Sequence, residues 1–178
     1  MVYMREITRK DLKKIVNWAS SEEELMTWAG SSFSYPLKID ELKAYIKGAN
    51  GIGSDRYIFV LVQDDDVVGH ISLAHIDYQN RSGRIGRVVV EENSRGKGYG
   101  TLMMKHMLQI GFEELNLNRI SLGVYDFNVS AYKTYEKLGF VQEGILREKL
   151  KTTNGYWNSI EMSMLSKEWK QRNGLIKK

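Results

Sequence analysis

Cysteine is absent from the 178 residues, which excludes disulfides, zinc-thiolate sites and thiol nucleophiles together. A chain without disulfides has the cytoplasm as its expected compartment. Proline occurs once, at Pro36, so no Pro-rich linker divides the sequence. No apolar run approaches the ~18 residues of a membrane span, and the opening MVYMREITRKDLKK is charged from the start. A soluble protein with no membrane partner is therefore expected. Charge of one sign is also scarce: the net charge is +4, with Lys and Arg spread along the chain. That balance favours a modest affinity for anions, which covers nucleotides, phosphates and RNA without choosing among them. It lacks the basic stripe and paired aromatics of an RNA-binding module, so nucleic acid is not the expected partner. What is present is 42% hydrophobic, enough for one core and short for two, so residues 1–178 are expected to form a single domain.

The apolar residues change period along the chain. Val2 to Ile7 reads as a strand. Thr8 and Asp11 then form a capping-box pattern, followed at helical spacing by Leu12, Ile15, Val16 and Ala19. Ser21 and Glu24 repeat that signal before Leu25, Met26 and Trp28, and Asp40 to Gly48 carries Leu42, Tyr45 and Ile46 on one face. RYIFVLVQ (56–63) and DVVGHISLAHI (66–76) read as strands joined by a hairpin turn at Asp64 and Asp65, and IGRVVV (85–90) as another. TLMMKHMLQIGFEEL places Leu102, Met103, Met107, Leu108, Gly111, Phe112 and Leu115 on a broad helical face. RISLGVY (119–125) is a strand, and Asn128 or Ser130 caps a helix that Gly139 closes after Leu138. Strands over Val141 to Thr152 and Tyr156 to Met164 flank Asn154-Gly155, a strong hairpin signal. The terminal KEWKQRNGLIKK reads as an exposed tail. This order predicts an α+β fold, one sheet with helices on its faces, and not a doubly wound repeat.

ENSRGKGYGT (92–101) sets glycines at 96, 98 and 100 between an apolar strand and an amphipathic helix. Glycines there let backbone N–H groups turn toward one point, and a helix N-terminus adds unpaired donors and about half a positive charge. Arg95 and Lys97 bring full charges to the same place. The spacing fits neither the dinucleotide fingerprint nor a Walker loop.

Arg95, Gly98 and Gly100 do match the form R/Q-x-x-G-x-G/A, and NVSAYKTYEKLGF carries Asn128, Ala131, Tyr135, Gly139 and Phe140 in the pattern N-x-x-A-x-x-x-Y-x-x-x-G-F. In these motifs and in element order over nearly the whole chain, the sequence resembles the GNAT superfamily of acetyl-CoA-dependent N-acetyltransferases. EGILREKLKTTNGYWNSIEMSML looks like the branch holding ribosomal-protein N-terminal and polyamine acetyltransferases. The resemblance implies a mixed, mostly antiparallel sheet of about seven strands flanked by helices. It also implies acetyl-CoA as co-substrate, no metal, and transfer by direct attack of a primary amine on the thioester. Backbone amides from Arg95 through Gly96, Lys97, Gly98, Tyr99 and Gly100 to Thr101 would hold the pyrophosphate. Val88 and Val90 would offer backbone groups to the pantetheine arm and the developing oxyanion, and Asn128 would hydrogen-bond the pantetheine. Tyr135 would stand at the sulfur as the acid. A phenol near pKa ~10 and a thiol near ~8.5 are poorly matched for full transfer, so the hydrogen bond counts as well as the proton.

The general base is not singled out: Glu91, Glu92, His70, His75 and Asp126 all fall near the expected site, and none has distinctive spacing. The acceptor is expected to be a small amine, with a ribosomal or other protein N-terminus as the alternative and a coenzyme A sensor as the non-enzyme rival. The polyamine branch often carries a carboxylate where Ile85 stands, which weakens that substrate. Residues 20–46 would wall the acceptor pocket. There Glu22, Glu23, Glu24, Asp40 and Glu41 would attract a polyamine or a basic N-terminus, or more simply complement the dipoles of their helix starts, and Trp28, Phe33 and Tyr35 read as pocket or core. Dimers are common in the family, so a homodimer is an expectation that the resemblance carries.

Overall fold

The computed structural model describes residues 1–175. Its strands are β1 (Val2–Glu6), β2 (Tyr57–Gln63), β3 (Asp66–Asp77), β4 (Ser82–Val90), β5 (Arg119–Tyr125), β6 (Val141–Thr152) and β7 (Gly155–Leu165). They form one sheet in the order β1-β2-β3-β4-β5-β7-β6. Every neighbouring pair is antiparallel except β4 and β5. The α+β sheet of seven strands expected from the sequence is present.

Helices cover both faces. α1 (Leu12–Ile15), α2 (Glu22–Ala29) and α3 (Ile39–Ile46) lie over one, where Leu12, Ile15, Leu25 and Leu42 bury against Ile58, Val60 and Val62. α4 (Tyr99–Gln109) and α5 (Val129–Leu138) lie over the other, where Met103, Met107 and Tyr135 meet Leu61, Ile71 and Leu122. α6 (Ser166–Arg172) closes this second layer. Each sheet residue alternates between the two layers, as period-2 patterning requires.

Several local expectations are corrected. α1 stops at Ile15 and does not run to Ala19: Asn17 and Trp18 donate to the carbonyls of Lys14 and Ile15, three residues back, and the chain tightens into turns. Thr8 is not the acceptor of a capping box. The Asp11 carboxylate instead takes the Thr8 amide (2.7 Å) and hydroxyl (2.9 Å) and forms a forked pair with Arg5. The Asp64-Asp65 turn has φ of +48° and +68°, the left-handed pair that a two-residue hairpin needs. The second hairpin pairs Thr152 with Gly155, so the turn residues are Thr153 and Asn154, one position before the expected pair.

After Gln109 the long helix becomes a π-helical turn over Ile110–Glu114, closed by Leu115 N to Ile110 O at 2.9 Å. Within α4 the buried face is Met103, Met104, Met107 and Leu108, which leaves Leu102 exposed, and the π turn then buries Ile110 and Phe112. Gly111 lies where a Cβ would come 2.4 Å from Ile120 Cδ1, so any larger residue would need the Ile120 side chain to turn aside. The terminal segment is not a tail throughout: Ser166–Arg172 forms a docked helix, residues 172–175 are exposed, and residues 176–178 lie outside the described residues. In α6, Trp169 packs 5.9 Å from Phe112 and donates to Glu113 at 3.2 Å, while Lys167 and Lys170 stay on the outer face. One apolar residue among charges is enough to fasten a single helical face.

Candidate active site

The parallel pairing of β4 with β5 lasts three residue pairs, from Ser82 opposite Arg119 to Arg84 opposite Ser121. Beyond Arg84 the strands separate. The later half of β4 then has β3 on one side and no ladder on the other. A cavity of about 440 Å³ opens along this gap.

β4 also carries a bulge. Val89 pairs with His70 and Gly86 with Ser72, so Arg87 and Val88 together face Ile71, and Arg87 has φ of +50°. An extra residue reverses the alternation of side chains. Ile85, Val88 and Val90 pack toward α4, whereas Val89 packs toward α1–α3 and the Arg87 guanidinium lies over the rings of Tyr45 and Phe33.

The bulge is tied by His70, whose Nδ1 lies 2.7 Å from the Arg87 carbonyl and whose Nε2 lies 3.5 Å from the Tyr45 hydroxyl. Burial pushes the imidazole down to about 4, so it is neutral, with Nδ1–H donating to the carbonyl. Unfolded, the ring protonates near 6.5. Its contribution to stability is therefore full above about pH 6.5 and is lost as pH falls toward 4, roughly 3 kcal/mol in all. Melting temperature should drop across that window, and His70→Gln should flatten the slope there. A variant with the wild-type slope would contradict the assignment.

Beyond β4, a short 3₁₀ turn (Glu92–Ser94) leads into the glycine loop. Gly96 and Gly98 have φ of +78° and +77°, and Gly98 is the left-handed N-cap of α4 with no side-chain cap. Among the described residues, the N–H groups of 96–101 find no carbonyl partner. A Cβ built at Gly96, Gly98 or Gly100 meets nothing within 4 Å. The glycines therefore do not serve protein packing. They line an open concavity faced by free donors at a helix N-terminus, which fits a pyrophosphate.

The cavity wall brings together Val88, Val90, Arg95, Gly96, Gly98, Tyr99, Gly100, Thr101, Asn128 and Tyr135. Lys97 is not on that wall; its ammonium lies 5.8 Å from the centre of the Tyr99 ring. Arg95 donates to the Val90 carbonyl (3.1 Å) and to Glu24 (3.3 Å), so its guanidinium braces the loop against α2. The Tyr99 hydroxyl is taken up by Gln63 at 2.8 Å. Asn128 caps α5 through Oδ1 to the Ala131 amide (3.3 Å). Tyr135 is 9% exposed, burial pushes its phenol up to about 12, and its hydroxyl has no partner among the described residues.

A second cavity of about 230 Å³ adjoins the first. The two share Trp28, Ile85, Gly86, Arg87, Gly123 and Tyr125, and the second is also lined by Arg84, Glu161, His75 and Lys149. Glu161 takes a forked pair from Arg84 at 2.7 and 3.0 Å and a bond from Ser159 at 3.1 Å.

The base candidates separate in space. His70 is buried and engaged; Glu91 pairs with Lys14 at 3.3 Å, and Asp126 accepts from Asn158 at 2.8 Å. His75 lines the second cavity. The helix-start acids behave as such: Glu24 accepts from Ser20, and Glu41 from Ser34 and Lys38. Of the aromatics, Trp28 reaches both cavities, Phe33 supports Arg87, and Tyr35 donates to the Ser20 carbonyl at 2.9 Å. Arg87, Thr27, Ser94 and Tyr125 are wall residues that sequence reasoning did not single out. For Arg87 a signal existed, a lone cation inside the apolar run IGRVVV.

Among the described residues, no three His, Asp or Glu side chains gather as a metal site requires, and no helix is long and apolar enough to cross a membrane. The family model of the acetyltransferase (GNAT) domain matches residues 2–141. The spermidine N(1)-acetyltransferase of Vibrio cholerae is 26% identical over 170 residues, covering 96% of each chain. A prophage-derived N-acetyltransferase of Bacillus subtilis is 29% identical over 162 residues, 90% of this chain and 89% of that one. Among solved structures, a spermidine N-acetyltransferase from Vibrio cholerae in complex with CoA and spermine aligns with a TM-score of 0.81 at 27% identity, over 94% of this chain and 97% of that one. The domain match spans most of the sequence and the fold agrees throughout, so the chain belongs to the GNAT family of acetyl-CoA-dependent N-acetyltransferases.

Proposed function

We propose that this enzyme acetylates the primary amine of a small molecule, which enters the second cavity and meets the thioester at the gap between β4 and β5. The carrying observation is that the two cavities join at that gap, through Gly86, Arg87 and Gly123. A volume of about 230 Å³ suits a short amine. Spermidine acetyltransferases among the relatives support a small acceptor over a protein N-terminus.

In this reading acetyl-CoA supplies an activated acetyl group. The amides of 96–101 grip its pyrophosphate, and the freed backbone of Val88 and Val90 receives the pantetheine arm and the carbonyl oxygen. A preorganised donor at that oxygen is worth roughly 3 kcal/mol. Asn128 holds the arm. As the amine nitrogen bonds the carbonyl carbon and the carbon–sulfur bond breaks, Tyr135 donates a hydrogen bond to the sulfur, and the proton shed by the acylated nitrogen ends on the departing thiolate. The amine must arrive neutral, since a protonated nitrogen has no lone pair to attack with.

The test is thiol release from acetyl-CoA by the purified protein, against polyamines, amino acids, aminoglycosides and short peptides with free N-termini, with acetyl-CoA binding measured by calorimetry. Turnover on small amines is expected. Turnover on peptides alone would move the acceptor to a protein N-terminus, and tight binding without any turnover would favour a sensor.

A further inference from the structure

We infer that the acceptor carries a carboxylate a few bonds from its amine, and that Arg87, on the bulge of β4, recognises it. This rests on the second cavity being the acceptor site.

The other arginines near the two cavities are matched by acids: Arg84 by Glu161 at 2.7 Å and Arg95 by Glu24 at 3.3 Å. Arg87 has no such partner. Among the described residues, no carboxylate lies within ion-pairing distance of it, and its side-chain bond goes to the Ser32 hydroxyl at 3.0 Å. Its guanidinium is held 4.6 Å from the centre of the Tyr45 ring and 5.5 Å from that of Phe33. Stacking on aromatic rings fixes the plane of an arginine and leaves its edge for a planar anion.

The same wall holds two donors without partners among the described residues. Arg87 Nε and Trp28 Nε1 are buried donors with no hydrogen-bond partner. Trp28 belongs to the same cluster, 6.3 Å from Phe33 and 6.4 Å from His70 between ring centres, and both Trp28 and Arg87 line both cavities. Buried donors are normally satisfied, so an orphaned pair beside an unmatched cation marks a place for an acceptor. An ionised carboxylate is acceptor-only, with about four lone-pair sites.

A polyamine would bring the opposite. Its further ammonium groups would meet Arg84, Arg87 and Lys149 with only Glu161 to receive them, and Glu161 is already engaged. Arg87 lines both cavities where they meet, so a carboxylate on it and a nitrogen at the gap between β4 and β5 would be spanned by one small acceptor, an amino acid rather than a long chain with a distant acid.

The test compares matched pairs of acceptors at saturating acetyl-CoA: free amino acids against their amides and against the corresponding decarboxylated amines, with spermidine alongside. The wild-type enzyme should favour the carboxylate member by about 10- to 100-fold in kcat/KM, expressed in KM, the worth of one charge-assisted pair. Arg87→Gln should erase that preference and Arg87→Lys should retain part of it. The wild-type comparison needs no variant, so a misfolded Arg87→Gln does not block the test. Preference for spermidine or for the amides, or a folded Arg87→Gln that keeps the carboxylate preference, would overturn this inference and leave the small-amine reading standing. No turnover on any amine while acetyl-CoA still binds would overturn both.

Discussion

Gly98→Val is expected to abolish measurable acetyl-CoA binding. Gly98 sits at φ of +77° as the N-cap of α4. A β-branched residue there is a genuine conformational outlier, and the left-handed region alone costs about 1–2 kcal/mol. Valine can be accommodated only by turning the loop, which takes the neighbouring N–H groups off their common point. Losing two charge-assisted bonds to a phosphate costs about 3 to 6 kcal/mol, more than 100-fold in affinity. Calorimetry would measure this directly.

Gly100→Ala separates binding from folding. Gly100 lies in the first turn of α4 at no positive φ, and a Cβ there meets no protein atom. Alanine should hold or raise the melting temperature, by up to ~1 kcal/mol of helix propensity. Its methyl would still project into the cradle and weaken acetyl-CoA binding. A Gly98→Val protein with full affinity would mean that the pyrophosphate sits elsewhere.

Tyr135→Phe is expected to lower kcat by about 10- to 100-fold with little change in acetyl-CoA affinity. General acids usually contribute about 10²- to 10⁴-fold. The lower end applies because burial pushes this phenol up to about 12, far above a thiol near ~8.5, so full proton transfer to the sulfur is uphill. In the proposed mechanism the group would therefore act through its hydrogen bond. A phenol at about 12 stays protonated through the working range, so kcat should show no alkaline limb from this group below pH ~11. The hydroxyl has no protein partner among the described residues, and phenylalanine keeps the edge-on contact with Phe140 at 6.1 Å, so stability should not fall. Unchanged turnover would remove Tyr135 from the mechanism.

Much of the cavity wall is legible in the sequence. The glycine loop announces itself because positive φ at a strand-to-helix junction has a residue requirement, and the Asn128 to Phe140 signature lies within one helix and its caps. The helix starting at Tyr99 is legible, but its buried face is not at Leu102, because Leu102 and Met104 are both apolar and only packing shows that Met104 is the one turned to the sheet. Lys97 was grouped with its neighbours by position alone, while its side chain turns toward the Tyr99 ring. The terminal segment was taken as exposed because one tryptophan among charges gives little periodicity, and only Phe112 and Glu113, more than fifty residues earlier, show what Trp169 is for.

By itself the sequence determined the order of the elements up to the terminal helix, the α+β sheet, the glycine loop between strand and helix and the kinship to acetyl-CoA enzymes. These depend on neighbours within about ten residues, where backbone conformation and side-chain period are set locally. Only the tertiary structure decided that β4 leaves β5 after three pairs, that a bulge turns Arg87 onto Tyr45, and that Glu161 is taken by Arg84. The reason is physical: whether a strand keeps its partner or a charge keeps its counter-ion depends on contacts between residues far apart in sequence, which no local pattern records.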